Sequence, residues 1–337
     1  MKIKEGFYKG LLRIQQKRKA ITDKNYRIGM WLYPSWWHSK VFQLKKSSEK
    51  YDTYYTARPN PGAGIGHQMA NWIAGYWYAK VFKLKFAHLS FSNSAIPYTE
   101  STWESFLNFG TSEVSVKQLM QEKGYKLVRL PIFHEDNQFE ICTIEKIIDS
   151  YRDEKVILIA EQDQFYRDQY GVMADIQSKF YSAEARKNET LIFDPDEYNI
   201  AVHVRRGDIV QHTGKNNPNL TLRWLDNDYF VTAVETAVQY IKTDKRIHLY
   251  IFSQATKEEL MDFRRFDRVT YCTEMSAQDS FLHMVYADAL VTSKSSFSYK
   301  PALLSKGIKF CPKDFWHGYP NDANWILLDN YGRAIKE

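Results

Sequence analysis

The stretch YNIAVHVRRGD, Tyr198 to Asp208, decides how this chain is read. Tyr198 through Val204 is a short, apolar, β-branched run, the pattern of a strand buried on both faces. Arg205 and Arg206 stand at its carboxyl end, and Gly207 lets the backbone turn. In open α/β sheets ligands bind beyond the carboxyl ends of strands. Arginine presents a planar fork of donors that matches phosphate oxygens. The bland alternative is a strand end with two solvated arginines. His203 just before the pair, and Gly207 and Asp208 after it, weigh against that alternative.

Beyond this stretch the chain alternates. Asn227 to Lys242 has the apolar spacing of an amphipathic helix, and strand signals follow at Ile247 to Ser253 and Val269 to Cys272. Helix is expected at Ala277 to Ala287, strand at Ala289 to Ser293, helix at Phe297 to Lys306 and strand at Ile308 to Cys311. Strands and helices at this spacing argue a parallel, Rossmann-like sheet. Upstream the alternation is less regular: a helix from His67, strands at Leu84 to Leu89 and Val156 to Ala160, and helices near Val114 to Lys123 and over 161–187. The fold expected is α/β, with two Rossmann-like domains facing a cleft. A polar segment from Arg186 to Pro195 marks their junction. The division is 1–55, a basic aromatic segment; 56–195, an acceptor-side domain; and 196–337, a nucleotide-binding domain.

Length and composition fit that plan. At 337 residues and 44% hydrophobic content the chain exceeds the usual single core. No run of 18 apolar residues predicts a membrane span, and the basic, interrupted start does not read as a signal peptide. Cys142, Cys272 and Cys311 form neither a metal pattern nor a disulfide framework, which points to a reducing, cytoplasmic setting. Residues 1–50 hold 13 Lys or Arg against 3 Asp or Glu, while the whole chain carries +6, so the remainder is net negative. A nucleic-acid enzyme would carry its positive stripe on the folded body, so no nucleic-acid partner is expected. The basic N-terminus, with Trp31, Trp36 and Trp37, suits peripheral contact with an anionic membrane face. An arm packed on the domain is an equal alternative.

Two more constellations bear on chemistry. TARPNPGAGIGHQMANW, residues 56–72, contains Gly62, Gly64 and Gly66 in a loop that opens into a helix, where backbone N–H groups can meet an anion or a sugar. The spacing does not fit a dinucleotide fingerprint, and Pro59 and Pro61 are expected to preclude a buried strand before it. DSFLHMVYADALVTSKSSFSYKPALL, residues 279–304, opens a helix at Asp279. It then crowds Ser293, Ser295, Ser296 and Ser298 into a strand-to-helix turn. Such a turn can bind phosphate with hydroxyls and N–H groups together; helix capping is the alternative.

HVRRGD after a strand, the loop ending Gly66-His67-Gln68, and SSFS near the end resemble the GDP-fucose-dependent fucosyltransferases. The closest likeness is to the α-1,2-fucosyltransferase family, whose HxRRGD, Gly-Asn-Gln-Met and SSFS motifs run in this order. The ordered motifs span residues 56–312. Three features depart from the family: His67 stands where it has Asn, Tyr299-Lys300 replaces a Trp-rich continuation, and the insert from Gln211 to Arg223 is longer.

The resemblance implies a GT-B-like fold, inversion at the anomeric carbon and no requirement for a metal or other cofactor. GDP-fucose would be the donor and a glycan or glycolipid hydroxyl the acceptor, with α-1,2 linkage to galactose. It implies catalytic roles for Arg205, Asp208 and His67. Donor contacts would come from His203, Arg205, Arg206, Asp279, Ser295, Ser296, Phe297, Ser298, Gly64 and Gly66. One arginine would grip the diphosphate and the other would be structural; Asp279 would bind guanine or brace the arginines. His203 would touch the nucleotide, orient the arginines or serve as a satisfied core histidine. Asp194-Pro195-Asp196 and Asp226-Asn227-Asp228 mimic a metal-binding DxD but read better as a turn and a helix cap. Three other functions stay open: a non-catalytic nucleotide- or carbohydrate-binding protein of the same fold, a transferase of another GDP-sugar, and a transferase of another phosphate-rich donor such as a sulfotransferase.

Overall fold

The computed structural model describes residues 51–60, 63–92, 102–152, 154–160, 166–207 and 222–335. Asp208, most of the expected insert and the whole basic N-terminal segment to Lys50 lie outside them. The described residues form two compact units, each built on a parallel sheet.

The first unit comprises the described residues up to Arg58, with Gly75–Leu89 and Glu113–Phe165. Its strands are β1 (Tyr54–Ala57), β2 (Lys85–His88), β3 (Val114–Ser115), β4 (Lys126–Arg129) and β5 (Val156–Ala160), ordered β3-β2-β1-β5-β4 and all parallel. β1 corrects one expectation. Pro59 and Pro61 lie beyond its end, so they do not interrupt it, and Tyr54, Tyr55, Thr56 and Ala57 are buried in the centre of the sheet. Aromatic and β-branched side chains suit that position. Helix α1 (Ile65–Val81) starts just after Gly64, two residues earlier than the sequence suggests. Helix α2 (Trp103–Leu107) falls in the second unit, and α3 (Val116–Glu122) and α4 (Gln138–Asp149) belong to the first.

The second unit holds Pro59–Ala74, Ser90–Ser112 and Tyr166–Glu337. It therefore takes in the glycine loop. The region 161–187, expected as one helix, contains 3-10 turns at Gln169–Val172 and Glu184–Asn188 around α5 (Met173–Tyr181). The strands are β6 (Tyr198–Val204), β7 (Ile247–Ser253), β8 (Val269–Tyr271), β9 (Ala289–Val291), β10 (Ile308–Pro312) and β11 (Trp325–Leu328), with helices α6 (Asn227–Tyr240), α7 (Ala277–Tyr286) and α8 (Ser296–Leu304) between them.

The order β11-β10-β9-β6-β7-β8, all parallel, is the 6-5-4-1-2-3 arrangement of a dinucleotide-binding sheet. β6 is central, in register with β7 from Tyr198↔Ile247 to Val204↔Ser253 and with β9 from Ile200↔Ala289 to Val202↔Val291. Ile200, Val202 and Val204 are fully buried in one cluster with Phe230, Val234, Ile251 and Val291. Each such side chain contributes about 1.5–3 kcal/mol of hydrophobic stabilisation. The order of connection reverses between β6 and β9, and the carboxyl ends of these two strands are where such sheets bind ligands.

Candidate nucleotide-sugar site

Both motifs read from the sequence emerge at this reversal point. β6 ends at Val204 and releases Arg205, Arg206 and Gly207; β9 ends at Val291 and releases Thr292 to Ser295. Gly207 has φ +75°, and a Cβ there would strike the side chain of Gln254, so the turn needs glycine.

His203 ties the two strand ends together. Its Nδ1 and the Ser293 hydroxyl share a hydrogen bond of 2.8 Å, and its ring lies 5.5 Å from that of Phe297. The imidazole is 6% exposed, and burial, reinforced by the Arg205 charge, pushes its pKa down to about 3. It is therefore a neutral, hydrogen-bonded core histidine that holds the site's frame. The unfolded chain binds a proton at His203 near pH 6.5 and the folded chain does not until about 3. Stability from this residue is thus full above pH 6.5 and is lost as pH falls through that window. About 2 kcal/mol should disappear between pH 7 and pH 5. Urea titrations at the two pH values should show a smaller pH-dependent loss in His203→Gln than in the wild-type protein; equal losses would remove His203 as the cause.

The two arginines separate. Arg206 is 4% exposed: Nη1 donates to the carbonyls of Arg205 (2.8 Å) and Leu225 (3.0 Å), and Nη2 donates to Asn227 Oδ1 (2.7 Å). Its guanidinium also lies 4.2 Å from the ring centroid of Trp224. Asn227 in turn donates to the Glu259 carbonyl and to Asp262. Arg206 therefore takes the structural role left open for one of the pair. Arg205 is half-buried and close enough to His203 to lower its pKa.

The serine turn is largely occupied with its own geometry. Ser295 is the N-cap of α8 and accepts from the Phe297 N–H (3.2 Å). The buried Ser298 hydroxyl accepts from the Ser293 N–H and donates to the Ser293 and Ser295 carbonyls. The capping reading thus holds for Ser295, and Ser298 is internal to the turn; Ser296 and Phe297 remain half-buried at its first helical positions. Phe297 packs between His203 and Phe281.

The glycine loop meets this turn. A Cβ placed on Gly66 would lie 2.7 Å from the Ser296 carbonyl carbon and 2.9 Å from the Phe297 nitrogen. Backbone is therefore packed on backbone. Gly64, two residues earlier, has no neighbour within 4 Å of such a Cβ. Gln68 fixes the loop, donating to the Ala63 and Ser92 carbonyls and accepting from the Ser92 N–H, while Asn71 accepts from the Asn60 N–H. His67 is half-buried in the first turn of α1, its Nε2 3.5 Å from Asn60 Nδ2.

Asp279 lies apart from the arginines in its bonding. It is exposed in the first turn of α7, where its carboxylate accepts from the Ser276 hydroxyl and its N–H donates back to Ser276. The two DxD-like triplets resolve as a cap and a turn: Asp226 accepts from the Tyr229 N–H and Asp194 from the Asp196 N–H. One neighbourhood was missed by the sequence reading. Trp316 and His317, beyond the end of β10, carry buried ring nitrogens; the aromatic run Phe315-Trp316-His317 just after a strand was its available signal.

No family model and no curated protein matches the chain. Among solved structures it is similar to a mutant of FUT1 from Arabidopsis thaliana in complex with GDP, at 12% identity over 89% of this chain and 79% of that one, with a TM-score of 0.44. It is also similar to the fucosyltransferase NodZ from Bradyrhizobium, at 12% identity over 76% of this chain and 94% of that one (TM-score 0.42), and to POFUT1 in complex with GDP, at 12% identity over 79% of this chain and 99% of that one (TM-score 0.42).

Proposed function

We propose that this chain is an inverting, metal-independent glycosyltransferase that moves L-fucose from GDP-fucose to a glycan hydroxyl, forming an α-1,2 linkage to galactose. The observation that carries the reading is the position of Arg205. It leaves the central strand of a dinucleotide-type sheet at the reversal point, beside a capped serine turn backed by Gly66. In this mechanism the acceptor oxygen attacks the anomeric carbon from the side opposite GDP, and the bond to the β-phosphate oxygen breaks. The charge that grows on the diphosphate is met by Arg205 and by the first-turn N–H groups of α8. The acceptor proton passes to the Asp208 carboxylate or to the leaving phosphate, with His67 positioning the hydroxyl. Arg206 and His203 keep the frame rigid.

A thermal-shift screen of GDP, UDP, CMP and adenosine bisphosphate tests the donor class. Stabilisation by GDP alone is expected, and a chain that responds to none of them is not a transferase of this kind. Arg205→Ala should then lower kcat/KM for transfer to a β-galactoside by roughly 10²–10³. Full activity in that variant would refute the role given to Arg205. The same proposal places the enzyme in the cytoplasm, touching an anionic membrane through its basic N-terminus. Deletion of residues 1–14 should weaken binding to anionic vesicles.

A further inference from the structure

Beyond the end of β10 the second unit buries polar groups that the proposed mechanism does not use. His317 is 1% exposed and stacks on Tyr299, with ring centroids 4.9 Å apart. The carbonyl of Arg167 acts on its imidazole, and one such bond leaves at least one of the two ring nitrogens without a hydrogen bond among the described residues. Trp316 Nε1 next to it is likewise buried with no partner among the described residues. Buried donors and acceptors are nearly always satisfied, and leaving one unmet costs free energy. Two side by side mark a place built for a ligand's polar atoms.

The location and the chemistry narrow that ligand. β10 pairs with β9, so the loop carrying Trp316 and His317 leaves the same carboxyl edge as the serine turn. Arg223 lies over the Trp316 ring at 4.8 Å, so the face of the ring is occupied. Burial, with Lys300 nearby, holds the His317 imidazole neutral, and burial also drives the Lys300 ammonium well below its ordinary pKa while its Nζ donates to Gln169 (2.6 Å). A neutral imidazole brings little to a phosphate, the role proposed above for Arg205. An indole N–H donor beside an imidazole nitrogen fits hydroxyl groups, which both donate and accept. A pKa far below neutrality also makes His317 a weak base, so its role is positioning.

We propose that Trp316 and His317 form a subsite for the hydroxyls of a hexopyranose ring, next to the nucleotide-binding turn. This rests on the transferase reading above. The ring belongs to the donor or to the acceptor, and one set of titrations separates the two. The full-length wild type, His317→Phe, Trp316→Phe and His317→Gln are titrated with GDP and with GDP-fucose by calorimetry. Methyl β-D-galactoside is followed by saturation-transfer NMR on the GDP-saturated proteins. GDP affinity should stay within twofold in every variant, which also reports that the fold is intact. The two aromatic replacements should weaken one sugar ligand about tenfold: GDP-fucose if the ring is the donor's, the galactoside if it is the acceptor's. His317→Gln, which keeps a donor and an acceptor, should recover most of that loss. Unchanged affinity for both sugar ligands, a wild type in which neither sugar adds binding, or an equal fall for GDP and GDP-fucose overturns the subsite. A wild type that binds no GDP overturns the transferase reading instead.

Discussion

Arg206→Ala is expected to lower the unfolding free energy by about 3–5 kcal/mol, the summed cost of the acceptors it leaves unmet and the ring stack it removes. The substitution strips three acceptors of their donor: the Arg205 and Leu225 carbonyls and Asn227 Oδ1. These acceptors are part-buried, so each unmet one costs near the low end of about 1–3 kcal/mol, and the guanidinium stack on Trp224 goes as well. For a unit of this size that amounts to a fall in melting temperature of roughly 10 °C or more. Arg206→Lys should recover little, because one ammonium cannot replace a planar fork that reaches three acceptors. Differential scanning calorimetry on Arg205→Ala and Arg206→Ala in parallel is decisive. The second should melt further below the wild type than the first. Equal melting of the two would mean that the bonds around Arg206 are not what fixes the turn.

That contrast between neighbours shows where sequence reading stops. The second sheet was legible because its strands are buried on both faces and so read as continuous apolar runs; Ile247 to Ser253 appears as expected. β1 was not, since Pro59 and Pro61 drew the eye to a break that falls just past the strand's end. β11 was missed too: four residues at the edge of the sheet, between polar segments, give little pattern. The site's residue types were visible, but their partners were not. What Arg206 bonds to is a carbonyl at Leu225 and an amide at Asn227, about twenty residues away. The count of serines is visible in the sequence, and their mutual bonds are not. The glycine loop falls in the first half of the sequence and yet packs on Ser296.

That last contact carries the other large prediction. Gly66→Ala forces a Cβ to within 2.7–2.9 Å of three backbone atoms of Ser296 and Phe297, closer than a carbon can sit. No flexible side chain is there to move aside. Either the first turn of α1 or the start of α8 must shift. Overpacking of this kind costs typically 1–3 kcal/mol, and with backbone on both sides the upper end applies, about 3 kcal/mol. The shift also displaces the first-turn N–H groups that the proposed mechanism aims at the diphosphate, so GDP affinity should fall by roughly tenfold or more. Gly64→Ala is the matched control. Its added methyl meets nothing within 4 Å and its backbone is not left-handed, so stability should change by less than about 0.5 kcal/mol. Urea denaturation and GDP calorimetry on both variants give the answer. If Gly66→Ala bound GDP as tightly as Gly64→Ala, the serine turn and the glycine loop would not act as one site.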